Sequence, residues 1–273
     1  MAMLIILALS LAFLFWQFGR PVAREIGRQR LRARPFPASW RQILRLRVPY
    51  FRNMPSDLQL QLKRHITVFL AEKPFIGCNG LQLTEEMRVT IAAQACLLIM
   101  NRRRPGYFPK LREILVYPGP FVVERPVGEA SGLIHEQRRV LSGESWSSGQ
   151  VILSWPDVIA GATTPDDGRN VVIHEFAHQL DQEKGIATGA PLLPRFRDYR
   201  DWSRILAAEF AQLQQAARTG QATLLDHYGA TDPAEFFAVA SEVFFERSAE
   251  MAADRPALYA QLCRYYRLNP LSW

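Results

Sequence analysis

The sequence predicts an α+β fold: a mostly helical domain with a small mixed sheet, preceded by one N-terminal transmembrane helix. Three observations carry this expectation. Residues 1–18 are uniformly apolar or uncharged, the first and last thirds of the body show apolar residues at helical spacing, and the middle third changes to short apolar runs broken by proline and glycine. The 273 residues suffice for one substantial core. With 48% hydrophobic and 22% charged residues, the composition is that of a folded globular chain rather than a disordered one.

The N-terminal run, MAMLIILALSLAFLFWQF, has no charged side chain. A helix of that length rises roughly 27 Å, enough to cross a hydrocarbon core with little tilt. Nine arginines (Arg20, Arg24, Arg28, Arg30, Arg32, Arg34, Arg41, Arg45 and Arg47) follow it against Glu25 alone, a local balance of +8. The whole chain carries +7, so the remainder is close to −1 and has no basic excess for direct nucleic-acid binding. A basic flank after the apolar run, with no basic stretch before it and no cleavage site, predicts a single-pass inner-membrane protein with its body in the cytoplasm. The alternatives are an apolar helix packed on the body or lying in the interface, and a plainly cytoplasmic protein. Pro35 and Pro37 then divide the chain into an anchor (1–18), a basic juxtamembrane segment and linker (19–36), and the body (37–273). Cys78, Cys96 and Cys263 are odd in number and lack metal-site spacing, which fits free thiols in a reducing compartment.

Within the body, Leu58, Leu62, Ile66, Phe69 and Leu70 predict a helix over 56–72. Thr84 starts another, with Glu85 and Glu86 in its first turn and an apolar stretch to Met100 too short to be a second span. Residues 114–123 and 149–155 read as strands, the latter (GQVILSW) as a candidate sheet edge over 150–155 for pairing with an extended peptide. Helices follow over about 164–184, 201–219, 232–247 and 256–267. For the first of these, Thr164 suits the N-cap, Pro165 the first turn, Asp166 and Asp167 the positive end and Gly185 the stop.

That helix contains HEFAHQLD, His174 to Asp181. Histidines four apart on a helix point the same way and can share one tetrahedral ion, while Glu175 beside the first is placed to take a proton from a water at the metal. Val172, Ile173, Phe176, Ala177 and Leu180 make this a core helix, where polar rings need a reason. A second HE pair, His135-Glu136, has Arg139 in the second-histidine position, so no metal site follows; His135 reads as a strand residue, with a place on the active-site rim as the alternative. A hydrolytic zinc site needs a third protein ligand, and spacing leaves His227, Glu235 and Glu242 open. Glu235 also suits a capping box with Asp232, and Glu242 a supporting partner. Asp181 reads either as the carboxylate behind a ligand histidine or as a surface acid near the helix end.

HEFAHQLD with the later YGATDPAEFFAVASEVFF resembles the Mlc titration factor A family of zinc-dependent peptidases, itself similar in its catalytic part to the anthrax lethal factor metalloprotease. KPFIGCNGLQLTEEMRVTIAAQACLLI, LREILVYPGPFVV and SGESWSSGQVILSW extend the likeness over residues 37–270. The resemblance implies a zincin-like domain with one Zn2+ per chain, Glu235 as third ligand and Tyr228 as an assisting residue. It implies hydrolysis of a peptide or protein substrate with Glu175 as general base and Tyr228 donating to the developing oxyanion. The family is also associated with sequestering a transcriptional repressor, so the rival expectation is a membrane-tethered binding protein whose zinc is mainly structural. The apolar N-terminus is no part of the family's usual pattern.

Overall fold

A computed structural model of the chain describes residues 3, 19–103, 105–128, 134–141, 143–146, 149–164 and 167–273. The expected membrane span therefore lies almost wholly outside the described residues. Among those described, no helix is long and apolar enough to cross a membrane. The basic segment that follows is helical over residues 19–32 (α1). Rather than hanging free, α1 is fastened to the body: the Arg28 guanidinium donates to both carboxylate oxygens of Glu72 at 2.7 and 2.8 Å and lies 4.7 Å over the Tyr107 ring. A bidentate, partly buried pair of this kind holds geometry better than a solvated one.

Three helices then lead into the core, α2 (Ala38–Arg47), the single turn α3 (Tyr50–Asn53) and α4 (Ser56–Glu72). The last has the bounds its apolar spacing predicts. Strand β1 (Phe75–Gly77) is followed by α5 (Glu85–Leu97), capped as expected by the Thr84 hydroxyl, which accepts from the Met87 amide at 3.2 Å. From Val89 to Leu97 every residue of α5 is buried, because α2, α4, α6 and α7 pack around it. It is the central core helix, as its length requires.

Strands β2 (Glu113–Tyr117), β5 (Gly143–Trp146) and β6 (Gln150–Ser154) join β1 in a four-stranded mixed sheet of order β1-β2-β6-β5. β1, β2 and β6 are parallel, and β5 closes the sheet antiparallel to β6 with Gly143 opposite Leu153 and Ser145 opposite Val151. β3 (Phe121–Gly128) and β4 (Ile134–Leu141) form a separate antiparallel pair, with His135 on β4 opposite Val127. The 150–155 segment is thus not an edge. Its apolar side chains, Val151, Ile152 and Leu153, are all buried, which a strand paired on both sides satisfies, and the edge role passes to β5.

The helix expected over 164–184 starts later, at Val171, and a separate helix ends where it was expected to begin. α6 (Trp155–Thr163) starts directly after β6 and ends at Thr164, which is its C-terminal cap and not the next helix's start. Gly168 adopts a left-handed φ of +77°, and Asn170 then caps α7 (Val171–Asp181) by accepting from the Ile173 amide at 3.0 Å. Pro165 and Asp166 lie outside the described residues. A short 3-10 turn, Gln182–Lys184, precedes the Gly185 stop. The remaining helices are α8 (Phe196–Thr219), α9 (Pro233–Glu246), α10 (Ser248–Asp254) and α11 (Pro256–Tyr266). α7 lies in the middle of this arrangement, packed on α9, α5, α6 and the strands β5 and β6.

Candidate metal centre

α7 places His174 and His178 one turn apart, and α9 brings Glu235 across to meet them. Glu235 is where it is because Asp232 caps α9, accepting from the Ala234 and Glu235 amides at 2.8 and 3.0 Å. The Glu235 carboxylate does not complete a capping box. Its Oε2 lies 2.9 Å from His174 Nε2 and 3.3 Å from His178 Nε2, and the two Nε2 atoms are 3.3 Å apart. Ligands roughly 2.0–2.1 Å from a tetrahedral ion lie about 3.3 Å from one another. These three are the residues among those described that could together hold a metal.

The chemistry of the donor set makes the same point. His174 Nδ1 is 2.7 Å from Glu242 Oε1, so a proton on Nδ1 donates to that carboxylate. In the neutral ring Nε2 then carries a lone pair, aimed at a carboxylate oxygen and at a second imidazole nitrogen. Such a convergence of electron pairs calls for a cation. Burial acts to strip charge from His174, yet Glu242 and Glu235 outweigh it and hold the imidazolium well above its ordinary range. Burial would likewise raise Glu235, but His174 and His178 hold it well below the usual carboxylate range. The pull that attracts a proton here attracts a divalent ion more strongly, so the residues fit a metal.

Glu242 therefore stands behind His174, outside the group of three donors. Its other oxygen accepts from the Asn170 amide, the residue that also caps α7. The Asn170 side chain in turn donates to Glu246 at 2.9 Å, and burial pushes the Glu246 carboxyl up to about 9. His227 is excluded from the centre: it starts a 3-10 turn and its Nε2 lies 3.0 Å from the Gln221 carbonyl. Asp181 has neither of the two roles expected of it. It is completely buried and accepts from the Thr188 and Gly189 amides, both at 2.6 Å, pinning the loop between α7 and α8.

Glu175 is 5% exposed, and burial pushes its carboxyl up to about 7, against the lowering effect of His174 and His178. It lines two adjoining cavities of about 530 and 490 Å³, which meet at His174, Glu175 and Tyr228. The Tyr228 hydroxyl donates to Glu235 Oε1 at 3.2 Å while half the side chain stays exposed, so it stands at the mouth of the centre. Sequence reasoning missed Asn170 and Gly143. A Cβ on Gly143 would lie 2.8 Å from Glu175 Oε1, and the strand is clamped further along by Gln179 donating to the Ser145 hydroxyl at 2.8 Å. A glycine opening an edge strand was the available signal, readable only once the strand was known to cross α7.

A helix of the His-Glu-x-x-His type facing a glutamate from a following helix suits a metallopeptidase, and a family comparison points to the same class. Residues 23–267 match the model of the glucose-regulated metallo-peptidase M90. The chain belongs to that family. It is a metallopeptidase of the M90 type by kinship, and the match takes in most of α1 as well as the body. A relative from Synechocystis sp., described as an uncharacterized protein, is 40% identical over 268 residues, 98% of this chain and 97% of its own length. The Mlc titration factor A of Klebsiella pneumoniae is 36% identical over 236 residues, 85% of this chain and 87% of its own. That of Escherichia fergusonii is also 36% identical, over 229 residues.

Proposed function

We propose that this member of the family is a zinc-dependent peptidase in which His174, His178 and Glu235 hold the metal and Glu175 is the general base. The observation that carries the reading is the convergence of three donor atoms within 3.3 Å of one another, with a buried carboxylate one residue from the first. Histidine and carboxylate donors suit zinc, and three of them leave the open position that a hydrolytic site needs. Bound there, the ion would acidify water and polarise the scissile carbonyl. Glu175, buried beside the first histidine, takes the proton from the attacking water and returns it to the leaving amine. Tyr228 turns from Glu235 to donate to the oxyanion. Glu242 holds the His174 ring in one tautomer and orientation. β5, the edge beside Glu175, offers its outer backbone groups to an extended substrate.

Metal analysis of the purified chain, with peptide-library cleavage followed with and without chelator, tests this. Glu175→Gln should keep the metal and lose hydrolysis; full activity in that variant sinks the base assignment. A second reading rests on the name of the Mlc titration factor A relatives, which points to binding of the Mlc repressor. In that reading the chain captures a repressor of this kind whatever the state of its metal. Pull-down of Mlc by Glu175→Gln protein, with and without chelator, separates the two. For location, we propose a single-pass inner-membrane protein with residues 1–18 as its anchor, supported by the charge-free run and its arginine flank. Release of the chain by alkaline carbonate would overturn that.

A further inference from the structure

The loop between α7 and α8 is built unlike an ordinary surface connection. Its inner side is fixed: Asp181 accepts from Thr188 and Gly189, the Trp202 indole donates to the Gly189 carbonyl at 2.8 Å, and the Leu193 amide donates to the Tyr199 hydroxyl at 3.0 Å. Gly189, Pro191 and Leu193 are buried. The outer side of this pinned scaffold displays Ile186, Leu192 and Phe196 at 85%, 54% and 94% exposure. Arg195, Arg197 and Arg200 stand exposed among them, and none enters an ion pair among the described residues. Large apolar side chains held outward beside arginines match an interfacial surface, where the apolar groups enter the acyl boundary and guanidinium groups pair with phosphates.

Its place in the fold points the same way. The segment 105–111 carries both this loop and α1: Arg28 reaches the Pro105 carbonyl at 3.4 Å, and the Lys110 ammonium donates to the Gly185 carbonyl at 3.3 Å. α1 is the helix that leads back to the apolar N-terminal run.

We propose that residues 186–200 form a membrane-contact surface for anionic phospholipid, with Ile186, Leu192 and Phe196 seated at the headgroup boundary and Arg195, Arg197 and Arg200 on the phosphates. Since Ala187 and Thr188 line the cleft, docking this loop sets the mouth of the metal centre against the bilayer surface. The inference does not depend on hydrolysis.

Hydrogen exchange on the full chain tests it, comparing detergent with phosphatidylcholine vesicles containing or lacking phosphatidylglycerol. The amides of 186–200 should exchange roughly tenfold or more slowly on the phosphatidylglycerol vesicles, and high salt should reverse much of this. The double variant Ile186→Ser, Phe196→Ser, at two exposed positions where no core contact is lost, should lose that protection while its thermal midpoint stays unchanged. Arg195→Glu with Arg197→Glu should abolish the dependence on phosphatidylglycerol. Exchange in the loop that is the same on vesicles as in detergent would overturn the proposal. So would equal protection by soluble polyglutamate, which would assign the face to an acidic protein.

Discussion

Replacing Gly143 with alanine is the sharpest test of how the metal centre is assembled, because the perturbation is one methyl group aimed at the base. A Cβ there would lie 2.4 Å from Val171 Cγ2, 2.8 Å from Glu175 Oε1 and 3.0 Å from Glu175 Cγ. Ordinary contact begins near 3.4 Å, so relief takes a shift of roughly 1 Å, and Val171 cannot yield by rotation because a branched side chain in a helix has essentially one rotamer. β5 must lift or Glu175 must move. Overpacking of this size costs about 1–3 kcal/mol of stability, and a misplacement of about 1 Å costs on the order of a hundredfold in rate. The three nearest atoms belong to Val171 and Glu175 and none to a histidine or Glu235, so metal stoichiometry should stay that of the parent. The assay is kcat and KM for a cleaved library peptide, alongside bound metal and the thermal midpoint. The expected result is a ten- to hundredfold fall in kcat with metal retained, larger for Gly143→Val. Undiminished kcat would refute the packing argument. Loss of metal together with activity would refute its restriction to Glu175, showing that the whole of α7 had been displaced.

Other perturbations separate the roles of neighbouring acids. Glu242→Ala removes the partner of His174 Nδ1 and should weaken metal affinity about 10–100-fold, measured by competition with a chromophoric chelator, whereas His227→Ala should leave it unchanged. Asp181→Ala strands two loop amides, and a stability loss of about 1–3 kcal/mol with full metal stoichiometry is expected in chemical denaturation. Burial, with Arg32 nearby, pushes His65 from 6.5 down to about 4, so the unfolded chain binds a proton more readily than the folded one between those values. Stability from this group is fully present above pH 6.5 and is lost as pH falls towards 4, on the order of 3 kcal/mol in all. A His65→Gln variant should show a flatter pH dependence of the thermal midpoint in that window, and an unchanged slope would assign the acid sensitivity to other groups.

What could be read from the sequence is what depends on local pattern. Ser56–Glu72 and the capped start at Thr84 follow from apolar spacing and a hydroxyl before two acids, and the structure has both. His174 and His178 share a face, with Glu175 beside it, because a helix turn is 3.6 residues, whatever the helix packs against. The start of that helix was misplaced because Thr164-Pro165-Asp166 is as good a local cap as Asn170. Asn170 wins through partners far along the chain, its amide meeting Glu242 72 residues away. The edge of the sheet was misjudged for a related reason. GQVILSW has the apolar run of a buried strand, and only the pairing of β5 on one side and β2 on the other distinguishes an inner strand from an outer one.

The same division explains why Glu235, Glu242 and Asp181 could not be ranked by spacing. Glu235 and Asp181 lie near helix ends and Glu242 well inside α9, and each has a sound local role as cap, surface acid or solvated face. The tasks of Glu235 and Glu242 are set by the crossing of α7 and α9, 61 residues apart at the His174–Glu235 contact, and that of Asp181 by the loop that folds back onto it. On α9, Glu235 and Glu242 are seven residues apart, two helical turns, so they lie on one face about 10 Å apart along the axis. An imidazole with nitrogens on opposite sides of its ring can meet both at once. His174 does so, with Nε2 toward Glu235 and Nδ1 toward Glu242. Two turns of one helix thus address the two ends of a single ring, and a change of register by one residue on α9 would rotate both carboxylates away from it together. Inserting one alanine between Glu235 and Glu242 turns one carboxylate about 100° from the other, so His174 can no longer meet both, and metal affinity should fall at least about 10–100-fold by direct analysis. The same insertion in the exposed stretch after Gly220 should spare it, and affinity unchanged by the α9 insertion would mean that the ring does not depend on this shared face.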